Sequence, residues 1–248
     1  MYHAVGDNPG PGADPHYTVT MPVFLEQMAL CTRLGGGAVS ARDWLAGKRG
    51  AIITFDDGHE TNHQLAFPAL REAGMSADFF VNPAQVGTPG FASWSALREM
   101  AEGGMSIQSH GLDHRHYLTE LSPTQLRDEL RQARQEIEQH VGQPVTLLAP
   151  PGGRCPPRLE EVAQEVGYTH VLCSRPGPIR RPVGANRMMN RYAVTKDVAL
   201  RALESWLRGG AGSLQAQLRY SVLYMTKRAL GDRRYEQVRR RILELFAR

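Results

Sequence analysis

Gly50-Ala51-Ile52-Ile53-Thr54-Phe55-Asp56-Asp57-Gly58 is the stretch on which the fold turns. Ala51 to Phe55 is an unbroken run of mostly β-branched and aromatic residues between two glycines. Branched side chains suit a pleated surface, and the lack of polar alternation means that both faces are covered. A strand covered on both faces belongs to a parallel sheet or barrel with helices packed outside. At its exit stand two adjacent carboxylates, Asp56 and Asp57.

Working outward, the same alternation repeats. Residues 5–17 are rich in Gly, Pro and Asp and read as a loop, and a helix is predicted near 22–34. After the first strand come a helix near 62–72, a strand at 77–82, a helix near 93–102 and a strand at 105–108. The helix 123–140 has Ser122 as N-cap and carries Leu126, Leu130 and Ile137 on one face. A strand at 145–149, a helix at 157–166, a strand at 169–173 and a late strand near 188–194 complete the pattern. Gly209 to Ser213 reads as a hinge, dividing the chain into a domain over 1–208 and a helical extension over 209–248. The extension holds two helical stretches, Leu214–Leu230 and Arg233–Phe246. The second mixes Val238, Ile242, Leu243 and Phe246 with Arg239, Arg240 and Arg241. It suits packing on its own domain, an oligomer contact, or peripheral contact with an anionic membrane surface.

The totals set bounds. A chain of 248 residues with 42% hydrophobic and 22% charged residues is globular. The formal charge of +4 is small and no nucleic-acid motif is present, so nucleic acid is not an expected partner. Cys31, Cys155 and Cys173 are few and widely spaced, which suggests neither a disulfide framework nor a zinc ribbon. No apolar run reaches the length of a membrane span and no signal segment follows Met1. The chain therefore reads as cytoplasmic, a mature fragment of an exported protein being the alternative.

The chemistry sits at predicted strand ends, where β/α folds collect their active sites. Consecutive residues at such an exit point in different directions, so Asp56 and Asp57 suit separate roles. An Asp-Asp-Gly turn in solvent would carry the same letters. The next strand but one ends in Ser109-His110-Gly111-Leu112-Asp113-His114. If these residues form one helical turn, both imidazoles share a face. Two imidazoles and a carboxylate make a three-ligand metal site with room for water, and a spare carboxylate can take the water's proton. Asp57, His110 and His114 are thus the candidate ligands and Asp56 the candidate base. Ala149-Pro150-Pro151-Gly152-Gly153 follows another strand, as a rigid turn or as backbone N–H groups facing an oxyanion.

TFDDG, then SHxxxH, then a proline-glycine loop, each at a strand end, resembles the polysaccharide deacetylase family. It is also called the NodB homology domain or carbohydrate esterase family 4. The resemblance runs from about Tyr2 to Leu207. It implies a distorted, incomplete (β/α) barrel that binds zinc, or alternatively cobalt or nickel, and removes N-acetyl groups from N-acetylglucosamine units. It implies Asp56 as base, Asp57, His110 and His114 as ligands, and Pro151 and Gly152 lining the substrate groove. Ala149 stands where many members have arginine. The late segment Met188 to Tyr192 lacks the histidine that serves many members as general acid. The opening Tyr2-His3-Ala4-Val5 resembles the start of the exopolysaccharide and poly-N-acetylglucosamine branch, which implies His3 as the acid. Alternatives are an amidohydrolase of a small or lipid-linked amide, and a glycan-binding module without turnover.

Further residues carry weaker readings. Trp94 could stack on sugar or be a core or rim aromatic. Arg191 and the basic run Arg175 to Arg187 suit either an acidic polymer or a solvated loop. Asp113 and His116 flank the histidine pair, and Asp113 could orient an imidazole.

Overall fold

The structure is a computed structural model describing residues 1–114, 118–179, 188–210, 212–218 and 220–221. In chain order it runs β1 (Ala4–Val5), β2 (Thr18–Val19), α1 (Met21–Leu34), β3 (Ala38–Val39), α2 (Ala41–Leu45), β4 (Ala51–Ile52) and β5 (Thr54–Phe55). A π-helical turn, Asn62–Ala66, leads into α3 (Phe67–Glu72), β6 (Asp78–Val81), α4 (Trp94–Glu102) and β7 (Ser106–Ser109). Then come α5 (Pro123–Val141), β8 (Leu147–Leu148), α6 (Leu159–Glu165), β9 (His170–Cys173), β10 (Met188–Asn190) and α7 (Leu200–Leu207).

Six strands form one parallel sheet in the order β10-β9-β8-β7-β6-β5, and β1-β2 and β3-β4 add two short parallel pairs. The sheet does not stop at β5. Tyr2 lies parallel to Phe55, donating to the Thr54 carbonyl at 2.8 Å and accepting from the Asp56 N–H at 2.9 Å. At the other edge, Met1 N donates to Tyr192 O at 3.0 Å and Val194 N to Met1 O at 2.9 Å. The first residues therefore sit between β5 and the segment after β10. Two hydrogen bonds close the ring there without a regular ladder, giving the distorted, incomplete (β/α) barrel.

Strand alternation sorts the core into two layers. Phe79 faces out, stacked on Phe55 at 4.7 Å and packed with Leu70, Leu97, Met100, Leu130 and Ile137 of the helices. Phe80 faces in, with Leu147, Ala149, Leu172 and Met189, and α2 plugs this cluster with Ala41. α5 starts on a capping box between Ser122 and Gln125, ends at left-handed Gly142, and buries Leu126, Leu130, Ala133, Ile137 and Val141.

Several elements differ from the sequence reading. The strand 51–55 changes partner at Ile53, from β3 to β6, so it splits into β4 and β5. β8 is shorter than 145–149 because Thr146 N and Leu147 N bond the Gln108 side chain rather than the β7 backbone. Glycines of the stretch read as a hinge bond to α7. Gly210 N donates to Ser205 O, Gly212 N to Ser205 Oγ, and Trp206 Nε1 to Gly212 O. Ser213 is tied to the Tyr192 hydroxyl at 2.5 Å. The expected helical stretches beyond residue 221, together with His116 and residues 180–187 of the basic run, lie outside the described residues. Among the described residues, no helix is long and apolar enough to cross a membrane.

Candidate active site

β5 delivers the two carboxylates in opposite senses. Phe55 faces the outer layer, so Thr54 and Asp56 face the barrel interior. At Asp57 the backbone turns left-handed (φ 71°) and Gly58 continues it (φ 72°). That conformation is uncommon outside glycine, although Asp tolerates it, and it swings Asp57 away from Asp56. Gly58 is also forced by space, since a Cβ there would lie 2.9 Å from Val81 Cγ1.

Asp56 is buried beneath the site. Arg191 Nη1 and Nη2 donate to its Oδ1 and Oδ2 at 2.6 and 2.9 Å, and Nη1 also reaches Thr54 Oγ1 at 3.1 Å. The guanidinium lies 5.3 Å from the Phe80 ring centre, on top of the interior cluster. Burial alone would raise the Asp56 pKa. Arg191 first, then His110 and His3, more than offset it and hold the carboxyl below its usual value. Arg191, read as a substrate contact, is thus turned inward, only 5% exposed and committed to Asp56.

The expected helical turn at the histidines is not formed. Residues 110–114 are an irregular loop, with Gly111 left-handed at φ 78°. Its shape comes from neighbours: Asn82 Nδ2 donates to the carbonyls of His110 and Gly111, Ala84 N donates to Leu112 O, and Leu112 N donates to Glu129 Oε1. Packing brings the imidazoles together all the same, with ring centres 5.7 Å apart.

Asp57 Oδ1 lies 3.3 Å from His110 Nε2 and 3.7 Å from His114 Nε2. One donor atom from each of the three residues lies within 4.8 Å of the others. Asp57 Oδ1 is buried with no hydrogen-bond partner, as is His110 Nδ1 on the far side of its ring. An orphaned carboxylate oxygen facing two imidazole nitrogens fits a divalent cation with open positions left for water. Charge agrees. Burial would raise Asp57, but the neighbouring His110 imidazole, then His3 and His114, hold it well below the carboxylate range. Burial would lower His110, but Asp56 and Asp57 raise it, whereas burial and then His110 lower His114.

His3 is fixed beside this cluster. Its neighbour Tyr2 is laddered to β5, its own carbonyl accepts from Asn62 Nδ2 at 2.7 Å, and its ring lies 4.6 Å from that of Tyr17. Burial pushes the imidazole below its usual pKa, and Asp57 and Asp56 pull the other way, so the ring feels both carboxylates.

Pro151 packs on the histidine loop, its Cγ 3.3 Å from where a Cβ on Gly111 would stand, and Gly152 is left-handed at φ 61°. Trp94 is elsewhere. It stacks on His140 at 4.4 Å, eleven residues beyond the Glu129 contact and so about 16 Å along α5. Asp113 is half-buried beside the ligands. The sequence reading missed Asn82, Glu129 and Asn62. Only Asn82 carried a signal, as a polar residue ending the apolar run Phe79-Phe80-Val81.

Comparison with known proteins gives the chain's family. Residues 46–171, just over half of the chain, match the family model described as polysaccharide deacetylase. The Bacillus subtilis (strain 168) protein YxkH, assigned by its name to the polysaccharide deacetylases, is 32% identical over 133 residues. That match covers 54% of this chain and 47% of YxkH, about half of the relative's length. Among solved structures, BC0361, a polysaccharide deacetylase from Bacillus cereus, superposes with a TM-score of 0.73 at 22% identity. It covers 84% of this chain and 67% of that one. IcaB from Ammonifex degensii gives 0.67 at 24% identity, covering 87% and 94%. At such identities the likeness is one of fold.

Proposed function

Because this chain belongs to the polysaccharide deacetylase family, we propose that it removes N-acetyl groups from a glycan containing N-acetylglucosamine. The reading rests on one observation above the rest: Asp57, His110 and His114 converge on a point beside the buried carboxylate of Asp56. Two imidazole nitrogens and one carboxylate oxygen suit zinc first and accept cobalt or nickel. A divalent ion held there would polarise the acetamide carbonyl and make a water in the site more acidic.

The chain's residues do the rest. Arg191 occupies one lone pair on each Asp56 oxygen, and a carboxylate has about four such positions, so the group stays ionised, fixed and able to accept a proton. Asp56 takes the proton of the attacking water. His3, held by Asn62 and Tyr17 within electrostatic reach of both carboxylates, gives a proton to the departing amine. The rigid turn at Pro151 and Gly152 lines the groove, and the Gly152 N–H is the turn's one donor for the developing oxyanion, since Gly153 N and Arg154 N bond Pro150 O and Pro151 O within the turn. Acetate and a glucosamine unit leave.

The test is acetate release from N-acetylglucosamine oligomers by zinc-reconstituted protein, beside Asp56→Asn and a chelated control. Release that vanishes in both controls supports the reading. Release that persists in Asp56→Asn removes Asp56 as base, and persistence under chelation removes the metal. Absence of release from the intact, zinc-loaded protein removes this substrate class.

A further inference from the structure

Among the described residues, the loop carrying the two histidine ligands is not helical, yet the peptide groups of residues 110–112 are all engaged. The His110 and Gly111 carbonyls meet Asn82 Nδ2 at 2.5 and 3.5 Å. Gly111 N donates to Ser109 Oγ at 3.2 Å. Leu112 N donates to Glu129 Oε1 at 2.8 Å, and Leu112 O accepts from Ala84 N at 3.0 Å. The partners come from three places: the exit of β6, the last residue of β7, and the middle of α5. Asn82 is fully buried, and its amide hydrogen-bonds the loop through the backbone carbonyls of His110 and Gly111.

A helical turn would hold an i, i+4 pair of ligands by its own backbone. Here the separation of His110 from His114 is imposed from outside, at the peptides just after the first ligand. We propose that Asn82 and Glu129 are positioning residues that set the affinity for the divalent metal by shaping this loop before the metal arrives. Ordering of the loop then accompanies folding rather than metal binding, and affinity is gained without a further ligand. Glu129 acts through its acceptor oxygen on the Leu112 N–H, and Asn82 through its donor hydrogens, so their conservative replacements should behave differently. Gln at 129 keeps an acceptor in place, whereas Leu at 82 removes both donors without adding charge. The inference rests on the metal-site reading given above.

The experiment measures the dissociation constant for zinc by competition with a chromogenic chelator, with far-ultraviolet circular dichroism and melting of the metal-free protein alongside. Asn82→Leu is expected to weaken zinc about tenfold or more, the loss typical of residues that orient metal ligands. Its metal-free melt should stay cooperative. Glu129→Met should weaken zinc similarly and Glu129→Gln should stay close to wild type. Wild-type affinity in folded Asn82→Leu overturns the proposal. If that variant does not fold, the glutamate pair decides: Glu129→Met weak with Glu129→Gln intact supports it, and Glu129→Met equal to wild type overturns it. Asp57→Asn separates the two readings. If it binds zinc as wild type does, the metal site itself is misassigned and the clamp falls with it. If Asp57→Asn abolishes binding while the clamp variants bind normally, only the clamp fails.

Discussion

Arg191 and Asp56 form a bidentate ion pair inside the barrel, Nη1 to Oδ1 at 2.6 Å and Nη2 to Oδ2 at 2.9 Å, with both side chains 4% exposed. The two residues are 135 positions apart and come from opposite ends of the sheet order, brought together by the closing of the ring. The pair ties barrel closure to the chemistry, because the strand that returns last fixes the carboxylate that emerges first.

Removing the guanidinium leaves a buried carboxylate without its partner. Arg191→Met is expected to lower stability by about 3–5 kcal/mol, as breaking a buried pair does. Deacetylation should fall about 100-fold from misplacement of the base. Arg191→Lys keeps the charge but cannot donate along two parallel bonds, so it should lie between. Urea unfolding and kcat measured on the two variants check this, with zinc content as the control that the ligands are untouched. Equal kcat in Arg191→Met and wild type would remove Arg191 from the site.

Zinc should raise thermal stability through Asp57 alone among the two carboxylates. At a free concentration about 100 times Kd, binding adds about 2.7 kcal/mol, which is roughly 5–10 °C in Tm for a chain of this size. Asp57→Asn keeps a residue that tolerates the left-handed backbone and loses the ligand charge, so its shift should vanish. Asp56→Asn should keep most of it. Differential scanning calorimetry with and without chelator reads both. A zinc shift of full size in Asp57→Asn would contradict the assignment.

The order of strands and helices was legible because burial on both faces leaves apolar runs such as Phe79 to Val81, and α5 writes its cap and stripe into Ser122, Leu126, Leu130 and Ile137. The meeting of Asp57, His110 and His114 was legible because strand exits gather chemistry. Other features left no local mark. β3, α2 and α7 are too short for periodicity, and the partner change at Ile53 depends on what lies beside the strand. The pairing of Arg191 with Asp56, and the hold of Asn82 and Glu129 on residues 110–112, come from tertiary neighbours distant in sequence. No periodicity could reveal them, and the helical turn was drawn from spacing where glycine and outside hydrogen bonds decide.

Asp78 is buried at the start of β6, where its Oδ2 accepts the Ala41 N–H and Ser106 lies beside it. Burial raises its pKa from 3.8 to about 6, against the opposing hydrogen bonds of Ala41 and Ser106. The folded state therefore holds this proton more tightly than the unfolded chain. Its contribution is fully present below about pH 4, is lost as pH rises towards 6, and is absent above, a swing of roughly 3 kcal/mol. Asp78→Asn keeps an acceptor for Ala41 and has no proton to lose. It should flatten that part of the profile and be at least as stable as wild type at pH 7.5. Urea unfolding of both proteins from pH 4 to 7.5 tests it, and identical slopes would refute it.

Gly111 and Gly142 share a left-handed backbone, φ 78° and 74°, but not their surroundings. A Cβ on Gly142 meets nothing within 4 Å, so Gly142→Ala at the end of α5 should lose only the conformational preference, about 1–2 kcal/mol. A Cβ on Gly111 would stand 3.2 Å from Glu129 Oε1 and 3.3 Å from Pro151 Cγ. These are the acceptor that holds the histidine loop and the proline packed on it, and each would have to give by a few tenths of an ångström. Gly111→Ala should therefore lose more stability than Gly142→Ala and, unlike it, weaken zinc and slow deacetylation. Urea midpoints, zinc affinity and acetate release on the two alanine variants separate backbone preference from contact. If both lose stability equally and both bind zinc like wild type, the packing of Gly111 against Glu129 and Pro151 does not hold the ligand loop.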